Sequence, residues 1–155
     1  MRPFFVFVIA LALSAFAAAE KIAYPDVTPD FKMEFPRDEG SHPDFRTEWW
    51  YVTGWLKGAD KRERGFQITF FRARPDNVSA DNPSQFSPRQ ILFAHVALSD
   101  PAEGKLLHGQ RTARAGLGLA EAKSGMTHVW IQDWSLQQHG NSYHAKILAP
   151  QFAFD

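Results

Sequence analysis

Cysteine is absent from all 155 residues, and with it go disulfides, thiolate nucleophiles and cysteine-bearing metal clips. Neither sign of charge is in excess, because 17 Lys and Arg face 17 Asp and Glu. Nothing therefore calls for a nucleic-acid partner. The chain also lacks a GxSxG elbow, a glycine-rich phosphate loop and an HExxH pair, which removes support for the common serine hydrolases, nucleotide-binding proteins and zinc proteases. Six histidines are present, but none shows the spacing of a metal-binding motif, so no metal and no cofactor is expected. Convincing amphipathic helical periodicity is missing as well.

The first residues look like a targeting segment. Met1-Arg2-Pro3 is a short basic start, Phe4 to Leu13 is an unbroken apolar run, and Ala17-Ala18-Ala19 supplies small residues before Glu20. These are the three regions of a signal peptide over 1–19, which implies a secreted or periplasmic protein. The alternative is an uncleaved N-terminal membrane anchor, although the apolar run falls short of the roughly 20 residues of a membrane span. Cleavage after Ala19 removes one basic residue, Arg2, and leaves 16 basic against 17 acidic residues.

What the chain has in quantity is aromatic residues: 14 Phe, 5 Trp and 3 Tyr. Three of the tryptophans fall in Arg46-Thr47-Glu48-Trp49-Trp50-Tyr51-Val52-Thr53-Gly54-Trp55. β-Branched and aromatic residues favour extended backbone, and period-two alternation puts Arg46, Glu48, Trp50 and Val52 on one face and Trp49, Tyr51 and Trp55 on the other. A strand carrying tryptophan on both faces needs cover on both. Before it, residues 20–43 hold Pro25, Pro29, Pro36 and Pro43 and read as an extended lead-in lying across the domain, with a turn or Asx-type cap at Asp38-Glu39-Gly40.

The remaining elements read as strands. Lys57 to Arg64 is a hairpin connection, and Gly65 to Arg72 alternates with Phe66, Ile68, Phe70 and Arg72 on one side. Arg74 to Pro88 is a proline- and serine-rich loop that includes an Asn77-Val78-Ser79 glycosylation pattern. Ile91 to Leu98 is a continuous apolar run, expected to be buried on both faces with His95 as its only titratable side chain. Lys105 to Gln110 is a short partner strand and Arg111 to Gly125 a loop. His128 to Leu136 and Tyr143 to Leu148 flank the hairpin signal His139-Gly140-Asn141-Ser142. The fold class is all-β, with the domain over 44–155.

Two side chains are weak candidates for catalysis. Glu48 beside Arg46 reads as an ionised structural partner, with acid chemistry as its alternative. His95 is the best acid/base candidate, and its alternative is a hydrogen-bonded core histidine. Arg46, Glu48, Trp50, Phe70, Phe93, His95 and Trp130 would line a site for a hydrophobic small molecule, such as a polyene or a cyclic compound. The competing reading is that most of these aromatics pack the core.

The run His42-Pro43-Asp44-Phe45-Arg46-Thr47-Glu48-Trp49-Trp50-Tyr51-Val52-Thr53-Gly54, with Gly65 to Arg72, Phe93 to Asp100 and Trp130 to Trp134, resembles the secreted lipocalin-like proteins of the AttH type. These are related to carotenoid 1,2-hydratase (hydroxyneurosporene synthase). The resemblance covers most of the chain beyond the signal segment. It implies two lipocalin-like antiparallel β-barrels in tandem, with this chain holding most of the first, truncated at its C-terminal end. It also implies association with an ABC transporter in some relatives, hydration of an isolated carotenoid double bond in others and pericyclic cyclisation in fungal ones. The hydratase branch carries its proposed acids largely in the C-terminal part, so none maps onto a residue here.

Overall fold

The computed structural model describes residues 22–76, 78 and 82–155. The signal segment 1–19 lies outside them, as does most of the Asn77-Val78-Ser79 pattern. The described chain is all-β, with no α-helix and a single 3-10 turn at Arg37–Glu39. A four-stranded antiparallel sheet runs in the order β1 (Thr47–Lys57), β2 (Glu63–Ala73), β3 (Ile91–Asp100), β4 (Lys105–Arg114). A five-stranded sheet follows as β5 (Ala120–Ala122), β6 (His128–Ile131), β7 (Trp134–His139), β8 (Ser142–Leu148) and β9 (Ala153–Phe154). Every pairing is antiparallel between neighbours in sequence, as a chain of hairpins.

The inner faces of the two sheets meet in one core. Ile68 and Phe70 of β2 and Leu92, Ala94 and Val96 of β3 pack against Val129, Ile131, Trp134, Leu136 and Ile147. Each large side chain among them is worth roughly 1.5–3 kcal/mol when fully buried, which is how a chain without disulfides is held. Gly109 of β4 makes room for the largest: a Cβ there would stand 3.0 Å from the Trp134 indole. Arg111 then covers that indole, its guanidinium 4.5 Å from the ring centroid. It also pairs with Asp133 and donates from Nη2 to the Leu148 carbonyl at 3.2 Å. On this side, where β4 leads into β5 through a Gly116–Ala120 bridge, the sheets are tied. On the other side no described strand pairs with the outer edge of β1, and the described residues form two antiparallel sheets without showing barrel closure.

Several expectations change. Ile91–Leu98 is not buried on both faces: Leu92, Ala94, Val96 and Leu98 face the core, and His95 is exposed on the opposite face. The run reads as continuous because that outer face is itself apolar, with Phe93 stacked on Phe71 at 4.6 Å between centroids. His128–Leu136 is two strands, since the inward positions shift from odd (Val129, Ile131) to even (Trp134, Leu136) across a turn in which Gln132 takes φ 56°. Part of the expected loop Arg111–Gly125 is strand, because β4 continues to Arg114 and β5 forms at Ala120–Ala122.

The lead-in crosses the open side. Gly40 is buried there against the β5–β6 turn, and a Cβ on it would lie 2.3 Å from the Gly125 backbone nitrogen and 2.6 Å from that of Met126. Ser41 N–H donates to the Lys123 carbonyl at 2.8 Å next to it. Gly40→Ala should therefore force backbone apart and destabilise the fold by about 1–3 kcal/mol. Urea unfolding of the variant is the measurement, and a midpoint equal to that of the parent protein would contradict the packing.

Candidate functional site

The site is built where the lead-in meets the free edge of β1. Glu48 and Arg72 face each other across the β1–β2 register, both on the inner face. Arg72 is completely buried and donates from Nε to Glu48 Oε2 at 2.5 Å. Its Nη2 donates to the carbonyls of His42 (3.0 Å) and Phe45 (2.8 Å). Glu48 also accepts from the His42 backbone N–H at 2.9 Å and from Ser41 Oγ at 3.0 Å. The partner of Glu48 is thus Arg72, not Arg46 two residues away. Arg46 is exposed and reaches Asp76 at 2.5 Å.

This clamp pins residues 41–46 to the sheet and so fixes Glu39 just upstream. The Glu39 carbonyl, with two lone pairs, accepts from Trp50 Nε1 of β1 and from Thr127 Oγ1 before β6, each at 2.9 Å. Its carboxylate Oε1 accepts from the Tyr143 hydroxyl of β8 at 2.9 Å. One residue of the lead-in therefore touches both sheets at their open seam. The other carboxylate oxygen, Oε2, is shielded from water and has no hydrogen-bond partner among the described residues.

Around this bridge lies a cleft of about 570 Å³, lined by Asp38, Glu39, Gly40 and His42 of the lead-in, Glu48–Val52 of β1, Thr127, Leu136 and Tyr143. Its volume is in the range of small-molecule sites. Arg37 donates to the Asp38 carboxylate at 2.8 and 3.0 Å. That bond and the Glu34 backbone N–H hold the Asp38 pKa far below the usual carboxylate range. Burial, then the hydrogen bond to Glu39, raises Tyr143 above the ordinary phenol value, so its hydroxyl stays a donor. His42 places Nε2 at 3.2 Å from Asp38 and Nδ1 at 3.3 Å from Glu48. Among the described residues no three His, Asp or Glu side chains converge as a metal site would require. A smaller apolar hollow of about 220 Å³ adjoins, lined by Val27, Phe31, Phe45 and their neighbours.

Of the residues singled out in the sequence, Glu48 and Trp50 line this cleft. Phe70 is wholly inside the core. Phe93 and His95 lie on the outer face of the four-stranded sheet, where His95 sits edge-on to Phe71 at 5.8 Å. Trp130 is half-buried on the outer face of the other sheet, with Lys123 Nζ at 5.6 Å from its ring and His128 at 4.9 Å. The seven are not one constellation. Glu39, Tyr143 and Thr127 were missed: Glu39 carried only a turn signal, and Tyr143 lies 104 residues away with no motif to link the two.

Residues 26–155 match the family model described as AttH-like, and the chain belongs to the AttH-like family. A crystal structure of a protein assigned as AttH from Nitrosomonas europaea, at 2.00 Å resolution, is 46% identical with a TM-score of 0.66 over 81% of this chain. The match covers 37% of that chain, so the present sequence spans well under half of its relative's length. No curated protein matches.

Breaking the clamp should be costly. Arg72→Met leaves Glu48 and two carbonyls without their donor and is expected to lose about 3–5 kcal/mol. Glu48→Gln keeps shape and part of the hydrogen bonding and should lose less, about 1–3 kcal/mol. Chemical denaturation of both variants checks this ranking. A second expectation concerns acid. With its folded pKa lowered, Asp38 contributes stability that is full above the unfolded value of about 4 and drains away as pH falls through the folded value. Thermal midpoints measured from pH 6 downward should therefore drop less steeply in Asp38→Asn than in the parent protein.

Proposed function

We propose that this chain is an exported AttH-like module that binds a hydrophobic small molecule at the seam between its two sheets. The observation that carries this reading is the contrast between core and seam. The interior between the sheets is filled by Phe70, Trp134, Ile131 and their neighbours, whereas the seam offers about 570 Å³ lined from the inner side by Trp50, Val52, Leu136 and Tyr143. Export is supported by the three-part pattern of residues 1–19. The partner on the outer face of β1 is the remainder of a longer chain, a second lipocalin-like barrel, because Trp49, Tyr51 and Trp55 stand bare there and the AttH relative is much longer. Association with an ABC transport system follows from the resemblance alone.

The enzyme reading, addition of water to an isolated alkene by acid catalysis, has one observation in its favour. Glu39 and Tyr143 put a carboxyl group and a hydroxyl together in an aromatic-walled cleft, the kind of groups that deliver a proton to carbon. Binding comes first in either case. A short apolar polyene should quench the tryptophan fluorescence saturably with a midpoint on the order of micromolar, and Trp50→Phe should weaken that response. Quenching that rises linearly without saturation would remove the binding site.

A further inference from the structure

The charge arrangement of the seam cleft narrows the chemistry of its ligand. Three carboxylates line it, Asp38, Glu39 and Glu48, and no Lys or Arg side chain does. Two of the three are neutralised from behind: Asp38 by Arg37 and Glu48 by Arg72. Among the described residues Glu39 has no cationic partner. A neutral hydroxyl, Tyr143, satisfies one oxygen, and the other has no hydrogen-bond partner. The aromatic side chains beside it on the inner side, Trp50 and Tyr143, add electron-rich rings, and Val52 and Leu136 add apolar surface.

We propose that the cleft binds an amphiphilic organic cation, an alkylammonium whose positive head sits between Glu39 and the aromatic walls and whose tail lies along Val52 and Leu136. The proposal rests on the same cleft being the ligand site. Its physical basis is a difference between ligands of one shape and three charges. A neutral occupant drives water out of the cleft and leaves the Glu39 charge less screened, with nothing in return. A cation restores it by Coulomb attraction and adds attraction to the ring faces. An anion meets an unpaired carboxylate and is repelled. Lipid-like neutral ligands can enter, but the site discriminates in favour of positive charge.

The test compares octyltrimethylammonium, 1-octanol and octanoate, each below the concentration at which it aggregates, by titrating tryptophan fluorescence of the purified protein. The cation should bind about tenfold more tightly than the alcohol, the alcohol more tightly than the carboxylate, and added salt should shrink the gap. Glu39→Gln should lower the cation's affinity about tenfold and remove its salt dependence, with folding checked by near-ultraviolet circular dichroism. If that variant does not fold, the ranking and salt dependence of the parent protein decide alone. Equal binding of alcohol and cation would overturn the cation proposal and leave the cleft as a site for neutral molecules. Binding of none of the three would overturn the cation proposal together with the cleft as a ligand site.

Discussion

A guanidinium taken completely out of water is stable only where nearly all of its donors are used, and that condition at Arg72 orders the rest of the seam. Its hydrogen bonds go to one side chain, Glu48, and to backbone carbonyls of the lead-in at His42 and Phe45. An apolar residue at this position would have extended the core and left the lead-in loose. With arginine there, the segment after Gly40 has one place to go. Glu39 is then carried to the gap between the sheets, where its carbonyl takes a hydrogen bond from each of them. The cleft has a floor because the strand beneath it has a buried charge.

The two sides of the sandwich are held by different physics. On the β4 side, Arg111 lies over Trp134 and pairs with Asp133, and the covalent link through Gly116 to Gly118 is short. Burial lowers the pKa of Arg111, and its guanidinium over the Trp134 ring contributes packing as well as charge. On the β1 side, among the described residues, there is no strand-to-strand pairing, and the sheets are bridged by the lead-in through the hydrogen bonds that converge on Glu39 and the one from Ser41 to the Lys123 carbonyl. A structure tied firmly on one side and by polar bridges on the other opens, if it opens anywhere, at the bridges. The candidate ligand site lies at that side.

Much of the fold was legible because one-sided burial writes itself into alternation. Trp50 and Val52 inward against Trp49, Tyr51 and Trp55 outward, and Phe66, Ile68, Phe70 and Arg72 on one side of β2, are found as the period-two pattern puts them. Legibility failed where a second influence mimicked burial. The stack of Phe71 on Phe93 makes the outer face of β3 apolar, so His95 looked like a core histidine although it is exposed. The turn at Gln132 was visible only as a change of parity. The partner of Glu48 was misassigned to Arg46 because proximity along the chain was available and cross-strand register was not. The site was less legible still, since Glu39, Thr127 and Tyr143 meet only after both sheets are built.

The exposed side of β1 sets a further constraint. Trp49 is 63% exposed, Tyr51 55% and Trp55 74%, and on the same face Leu106 is 61% exposed. Aromatic side chains of this size bury on the order of 150–250 Å² each when covered, so a partner on this face has apolar area to gain. The same strand supplies the wall of the seam cleft through Trp50 and Val52. In the proposed arrangement, with the remainder of a longer chain against the outer face, cover from outside would restrict the free edge of β1 and with it the cleft wall. Any preference of a ligand for the covered strand would then act back equally on the docking, because coupling between two binding events is reciprocal. The tryptophans on opposite faces of one strand would serve one equilibrium from its two sides.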